Sequence, residues 1–335
     1  MIPGLRQKAL IVAPKWALAA RLGMRHGSRT PVLLYHAVNG KRGASDSYDQ
    51  NLHNVFPEVF AEQVSIVKRY YEIVFVDELF ERVRSGKSVA GLAAITFDDG
   101  YESVLSQALP ILKREGAPST LFISTNLPQQ KIFWRDRVRL VIRKNLVVEF
   151  LDFAGRSIPS FRRISPESFY RDTKNAKLVN SKHVDGALQR FLEARFTNLD
   201  TQASASDAYI EAGNLSGADP SLLKVGNHTV NHYVLSSLTP DEQASEIDAA
   251  QSYIRSLGFQ ESKLFSIPFG GTDDYNQATL RIIKDLGFEG YLLSKGHVNT
   301  VNEIEGQLDR QPALWWCNRF MPRNGVKGFL WQLAR

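Results

Sequence analysis

From Pro31 onward the chain alternates short β-branched runs with stretches whose apolar residues recur at helical spacing. Pro31-Val32-Leu33-Leu34-Tyr35-His36 reads as a strand, and Phe60, Val64, Val67 and Tyr71 fall on one helical face. Residues 73–76 form the next strand, and Asp77 caps a short helix ending before Gly86. Strands at 93–97 and 119–123 flank a helix that carries Val104, Leu105, Ala108, Leu109 and Leu112 and stops at Gly116. The same grammar returns later. Thr239-Pro240-Asp241-Glu242 supplies an N-cap, an N1 proline and a capping-box acid before Ile247, Ala250 and Ile254, with Gly258 as terminator. Strands at 263–267 and 289–293 surround a helix bearing Leu280, Ile283 and Leu286. Such alternation predicts an α/β fold with a parallel sheet. A length of 335 residues suits either two domains of ~150 residues or one barrel with an addition.

Residues 131–216 break this rhythm and read as an insertion. Their opening, Ile132-Phe133-Trp134-Arg135-Asp136-Arg137-Val138-Arg139, predicts a helix with Trp134, Val138, Val141 and Ile142 on one face. Arg135, Arg139 and Arg143 line another, read first as a solvated face, with a phosphate or acidic-glycan site as the alternative.

The net charge of +6 has one address. Residues 1–30 hold six of the 41 Lys and Arg and no acid, which leaves 35 basic against 35 acidic residues in the body. A neutral body argues against a nucleic-acid partner. The basic arm is interleaved with Leu10, Ile11, Val12, Trp16, Leu18 and Leu22, a composition suited to peripheral contact with an anionic membrane. Its apolar run at 9–20 is broken by Pro14 and Lys15 and is too short to span. The expected location is cytoplasmic, with peripheral membrane contact through 1–30. A weak signal peptide ending near Ala17, Ala19 and Ala20, hence export, and a frayed terminus are the alternatives. The single cysteine, Cys317, excludes an intrachain disulfide and a cysteine zinc cluster, and reads as core.

Two motifs carry chemistry. Thr96-Phe97-Asp98-Asp99-Gly100 is an apolar strand that ends in adjacent carboxylates and a glycine turn, at the strand end where barrels place reactive groups. Neighbouring side chains on a strand point to opposite faces, so both acids serve one site only if the turn rotates them together. Asn227-His228-Thr229-Val230-Asn231-His232 sets two imidazoles four residues apart, one turn if helical, so that both can meet one ion. Two His and one carboxylate form a common divalent site with positions left for water and substrate. Asn227 also heads a glycosylation sequon, a weaker reading because a metal site would bury it.

The order of these pieces resembles the polysaccharide deacetylases, the NodB-homology or carbohydrate esterase family. The first motif matches at Thr96 to Gly100, the second at His228 to His232 and the third at Ser266-Ile267-Pro268-Phe269-Gly270, with Tyr35-His36-Ala37-Val38 similar to the family's opening segment. The resemblance implies a distorted (β/α) barrel of about seven strands over 31–130 and 217–335, with the 131–216 insertion between the first and second motifs. It also implies that Asp99, His228 and His232 bind a divalent metal, zinc by donor set, that Asp98 is the catalytic base, and that the Phe269 N–H helps hold the oxyanion. The expected activity is hydrolysis of a non-peptide carbon–nitrogen bond: removal of N-acetyl groups from an amino sugar in a glycan or lipid-linked sugar.

Two departures stand against the family pattern. Ser266 occupies the place of an Arg that holds the base carboxylate, and Arg323 in Arg319-Phe320-Met321-Pro322-Arg323 is the replacement inferred from sequence. No Leu-x-His segment supplies the family's general acid near the C-terminus, and His36 is preferred over His297 for that role. These gaps leave as the alternative a carbohydrate-binding protein on a catalytically decayed deacetylase fold, with a phosphoesterase on a similar metal site ranked third because no phosphate-cradling loop is evident.

Overall fold

The computed structural model describes residues 26–40, 54–126, 133–196, 209–215, 218–310 and 314–334, with Pro14, Ala17 and Arg21 of the arm. The membrane contact expected of the arm falls almost wholly outside the described residues. Among the described residues, no helix is long and apolar enough to cross a membrane.

The centre of the fold is a set of parallel strands: β1 (Val32–Tyr35), β2 (Glu72–Val74), β3 (Leu92–Asp99), β4 (Ser119–Ile123), β5 (Leu223–Asn227), β6 (Glu261–Ser266), β7 (Gly290–Leu293) and β8 (Trp315–Asn318). β2 pairs with the start of β3, and the other seven follow the order β8-β7-β6-β5-β4-β3-β1. Phe320, just past β8, bridges Leu33 in the parallel sense and brings the two ends of the sheet together. The Leu34 N–H donates to the Phe320 carbonyl at 2.9 Å, and the Phe320 N–H donates to Val32 at 3.1 Å. The result is a nearly closed barrel of seven parallel strands, the distorted (β/α) barrel expected from sequence.

Helices α1 (Pro57–Tyr70), α2 (Val76–Arg84), α3 (Leu109–Glu115), α4 (Trp134–Arg143), α5 (Val147–Ser157), α6 (Ser181–Glu193), α7 (Pro240–Ser256), α8 (Gln277–Asp285) and α9 (Val326–Ala334) lie between or after the strands. The strands read as continuous apolar runs because helices cover one face and the barrel interior the other. Every residue of β3 is buried. Full burial of a Val, Leu, Ile or Phe side chain contributes about 1.5–3 kcal/mol, so Leu33, Ile95, Phe97 and Leu121, packed in one cluster, anchor this wall.

Local signals explain most boundaries. Pro57 opens α1, whose buried Val59, Phe60, Val64 and Val67 form the predicted stripe. α7 carries the predicted capping box: Thr239 Oγ1 accepts from the Glu242 N–H, and the Glu242 carboxylate accepts from the Thr239 N–H. Thr239→Ala is expected to cost about 1 kcal/mol in urea unfolding, with Thr239→Ser close to wild type. Gly116 closes α3 in the left-handed region at φ +59°.

Other local readings are corrected. Asp77 does not cap α2, whose N-cap is Phe75. Asp77 is buried and accepts instead from the Lys263 N–H at 2.8 Å and the Ser262 hydroxyl at 3.0 Å, tying α2 to β6. On α4 the buried face is broader than the periodicity suggested: Arg135 is 3% exposed, whereas Ile142, expected inside, is 38% exposed. Cys317 is buried as expected, and burial pushes its thiol up to about 12.

Gly226 in β5 has no room for a side chain, because a Cβ there would lie 2.4 Å from the Phe122 ring. Gly226→Ala is therefore expected to destabilise by about 1–3 kcal/mol, the usual cost of overpacking, read as a fall in denaturation midpoint.

Candidate active site

The carboxyl ends of the barrel strands converge on a cavity of about 270 Å³ lined by His36, Asp98, Asp99, His228, His232 and Phe269, among others. Six of the seven residues singled out from sequence, all but Arg323, therefore share one space, with His36 following directly on β1. Backbone geometry explains how they meet. Asp99 ends β3 at φ +75°, a left-handed turn that brings two consecutive carboxylates into the same cavity. Thr229, His232 and Phe269 also have positive φ, at +67°, +55° and +64°. Among the described residues only Asn145 is a further non-glycine case, so backbone strain concentrates at this site.

His228 and His232 sit on a loop after β5, not on a helix, which corrects the helical reading of their spacing. The loop is pinned from several sides. The His232 N–H donates to Thr229 Oγ1 at 2.9 Å, the Asn231 N–H to Glu246 at 2.8 Å, and Trp134 Nε1 to the His232 carbonyl at 3.1 Å. Asn227 is fully buried, donates to Ile247 and Gln251, and accepts from the Thr229 N–H. Its amide is thus committed to structure, and the sequon is inaccessible in the fold.

The imidazole of His228 donates from Nδ1 to the Ser266 carbonyl at 2.9 Å, since a carbonyl can only accept. Its Nε2 lone pair is thereby turned toward Asp99 Oδ1, 3.7 Å away, and His232 Nε2 lies 3.4 Å from the same oxygen. Asp99 Oδ1 is buried without a hydrogen-bond partner, and the three residues offer ligand atoms that all lie within 4.8 Å of one another. Burial lowers the pKa of both imidazoles, that of His232 well below its ordinary value, so the rings are neutral donors at pH 7. Burial, the Asp98 charge and Asp136 push the Asp99 carboxyl up to about 8. Two neutral imidazoles beside a carboxylate destabilised by burial and like charge form a donor set that gains from a cation at its centre, and in this respect the residues fit a divalent metal.

Asp98 is held differently. Arg319 Nη1 and Nη2 donate to its two oxygens at 2.6 and 2.7 Å, and Nη2 also donates to the Ser266 hydroxyl at 2.8 Å. Burial acts to raise the Asp98 pKa, but the fields of Arg319, His228 and His36 outweigh it and hold the carboxyl below its ordinary value. Arg319 itself is fully buried. The cation inferred at Arg323 is therefore misplaced by four residues: the Arg323 guanidinium stacks over the Trp331 ring at 5.1 Å and lines a different cavity. His297 lines that second cavity too, bonded to Asn318 at 2.9 Å. The signal for Arg319 was its position one residue beyond a strand, where the small Ser266 on β6 leaves space for a guanidinium arriving from β8.

A further wall comes from α4 and the turns after it. Phe133, Arg135, Arg139, Tyr170 and Lys174 all line the cavity. None of Phe133, Tyr170 and Lys174 was singled out from sequence as a site residue, because only the fold brings the 133–174 stretch over the strand ends. The Phe133 ring meets His232 edge-on at 5.3 Å, and Phe269 does so at 4.6 Å.

Comparison with known proteins places this geometry. No curated protein sequence matches the chain significantly. Solved structures share its fold: the Streptococcus pyogenes deacetylase PplD in complex with acetate (18% identity, TM-score 0.57, 91% of this chain and 98% of that one) and IcaB from Ammonifex degensii (16% identity, TM-score 0.54, 92% and 99%). A de-N-acetylase from Aggregatibacter actinomycetemcomitans is similar at 13% identity and TM-score 0.51, over 88% and 94% of the two chains. The polysaccharide deacetylase family model matches residues 85–180 and 219–291, just over half of the sequence, and the matched segments include Asp98, Asp99, His228 and His232. The chain therefore belongs to the polysaccharide deacetylase family, hydrolases of carbon–nitrogen bonds other than peptide bonds.

Proposed function

We propose that this protein is a zinc-dependent de-N-acetylase acting on an N-acetylated amino sugar within a glycan or lipid-linked sugar. The observation that carries the reading is the cluster of Asp99, His228 and His232 beside an Asp98 carboxylate clamped by Arg319. In this reading Asp99, His228 and His232 hold the ion. When bound, it supplies a Lewis-acid charge that polarises the amide carbonyl and makes water more acidic.

The chain's own groups then have distinct tasks. Asp98 takes the proton from the attacking water, and its depressed pKa keeps it ionised at neutral pH. Arg319 fixes the carboxylate's orientation through both of its oxygens and is itself bonded to the Ser266 hydroxyl. The Phe269 N–H serves as an oxyanion donor, with the left-handed backbone at Phe269 setting its direction. His36, which lines the same cavity, is the proposed donor of a proton to the leaving amine. Arg319 answers the departure that most favoured a decayed, purely carbohydrate-binding protein, because the base keeps its cation. In domain terms, 31–130 and 217–335 would be the barrel and 131–216 an insertion that walls the site.

Zinc titration followed by elemental analysis tests the metal assignment. One zinc per chain is expected for wild type, and a loss of at least about tenfold in affinity for His228→Ala, since a ligand is removed outright. Wild type that stays metal-free, or a variant that binds equally well, contradicts it.

The arm at 1–30 is proposed as a peripheral membrane contact that would suit a lipid-linked substrate. Each basic residue near an anionic surface contributes ~1 kcal/mol, screened by salt. Co-sedimentation with anionic vesicles should be strong for the full chain at low salt and weak for a chain lacking 1–30. Equal binding by both contradicts the proposal.

A further inference from the structure

Three arginines of the chain that are fully or largely buried have carboxylate partners: Arg319 has Asp98, Arg137 has Asp185 and Arg139 has Asp136. Arg135 does not. It is 3% exposed and lines the active-site cavity, yet among the described residues no carboxylate lies within ion-pair distance of it. Its guanidinium donates to Thr173 Oγ1 at 3.0 Å and to the Tyr170 carbonyl at 2.7 Å. It is held over the Tyr170 ring at 4.3 Å and the Trp134 ring at 4.8 Å. These contacts orient a fork of five N–H groups but use only part of it, and they leave the guanidinium without a direct ion pair, reached only by the more distant field of Asp136.

Lys174 adds a second cation to the same cavity. Its ammonium lies 4.9 Å from the centre of the Phe269 ring, the residue of the third motif, and it too has no carboxylate within ion-pair distance among the described residues. Asp274, whose field reaches Lys174, instead accepts from the Gly271 N–H at 2.7 Å. Burial and the nearby Arg135 charge lower the Lys174 pKa, as expected of two cations facing one space. The acids of the cavity do not supply a counter-charge, since Asp98 is spoken for by Arg319 and Asp99 belongs to the proposed metal cluster.

We propose that Arg135 and Lys174 form a subsite for an oxyanion, a carboxylate or a phosphate, carried by the glycan next to the N-acetyl group that is cleaved. The inference deepens the deacetylase reading and rests on it: the substrate class becomes an acidic acetylated glycan. A planar guanidinium paired with an ammonium suits either oxyanion, and desolvation by the aromatic rings strengthens both contacts.

The test gives the intact zinc-loaded protein three oligosaccharides of equal length: a neutral N-acetylglucosamine oligomer, one alternating with glucuronate, and one bearing a phosphate ester. At least one charged oligomer should exceed the neutral one in kcat/KM by about tenfold, mainly through KM, as one charge-assisted contact allows. The identity of the preferred oligomer distinguishes carboxylate from phosphate. Lys174→Gln and Arg135→Gln should each reduce this ratio towards parity, Lys174→Arg should restore it, and added salt should weaken it. Because Arg135 is buried and its replacement can disturb folding, Lys174 carries the comparison. Equal kcat/KM for all three oligomers, or a preference that survives Lys174→Gln, overturns the proposal. Calorimetric binding of the same oligomers is read in parallel. If none is turned over, the deacetylase reading fails, and the presence or absence of preferential binding to a charged oligomer still decides the subsite.

Discussion

Asp98→Asn is expected to lower turnover by about 10²–10⁴-fold while the protein still binds the proposed zinc. An amide has the shape of the carboxylate but cannot take a proton from water. It also faces Arg319, which donates to both Asp98 oxygens, so some loss of stability should accompany the loss of rate. Metal content separates the two proposed roles of the adjacent acids. Asp99→Asn should weaken zinc binding directly, whereas Asp98→Asn should leave stoichiometry at one. Steady-state rates with elemental analysis on both variants check this, and an Asp98→Asn enzyme near wild-type rate would remove the base assignment.

Arg319→Ala should produce the second large effect, on stability as well as on rate. Removing one partner leaves Asp98 buried and uncompensated, a change that costs about 3–5 kcal/mol for pairs of this kind. The sign with pH follows from the direction of the shift. Asp98 has a lowered pKa in the fold, so its contribution is present above the unfolded carboxylate pKa and is lost as pH falls through the folded one. Without Arg319 burial dominates, the folded pKa rises, and both acid unfolding and the acidic limb of the rate profile should move to higher pH. Arg323→Ala should leave that limb in place, because Arg323 stacks on Trp331 away from the carboxylate. Urea unfolding and pH–rate profiles of the two variants form the check. A shifted limb in Arg323→Ala with none in Arg319→Ala would reverse the assignment.

The contrast between these two arginines shows where sequence reasoning stopped. Strands such as β3 and β4 were legible because a run buried on both faces must be apolar throughout. The capping box of α7 was legible because it is local. Asp98, Asp99, His228 and His232 were legible as chemistry because residue types and spacing are themselves local. Their convergence was not, since it depends on positive φ at Asp99 and on a loop where helical spacing was expected. Arg319 reaches Asp98 only because closure of the barrel brings the chain after β8 against β1, a contact made at Phe320 and Leu33. Nothing local announces that closure. Arg135 shows the same limit, since periodicity placed it on an outward stripe, whereas the short helix at Phe169–Asp172 and Thr173 after it supply contacts to its buried guanidinium.

The central claim is that this cavity hydrolyses an amide on an amino sugar. Simultaneous assay of acetate and free primary amine, during incubation of the zinc-loaded protein with the three oligosaccharides named above, tests it most directly. The account predicts one amine for each acetate released, abolished by a chelator and restored by zinc. Acetate released without amine, release unaffected by metal removal, or no release from any of the three would contradict it.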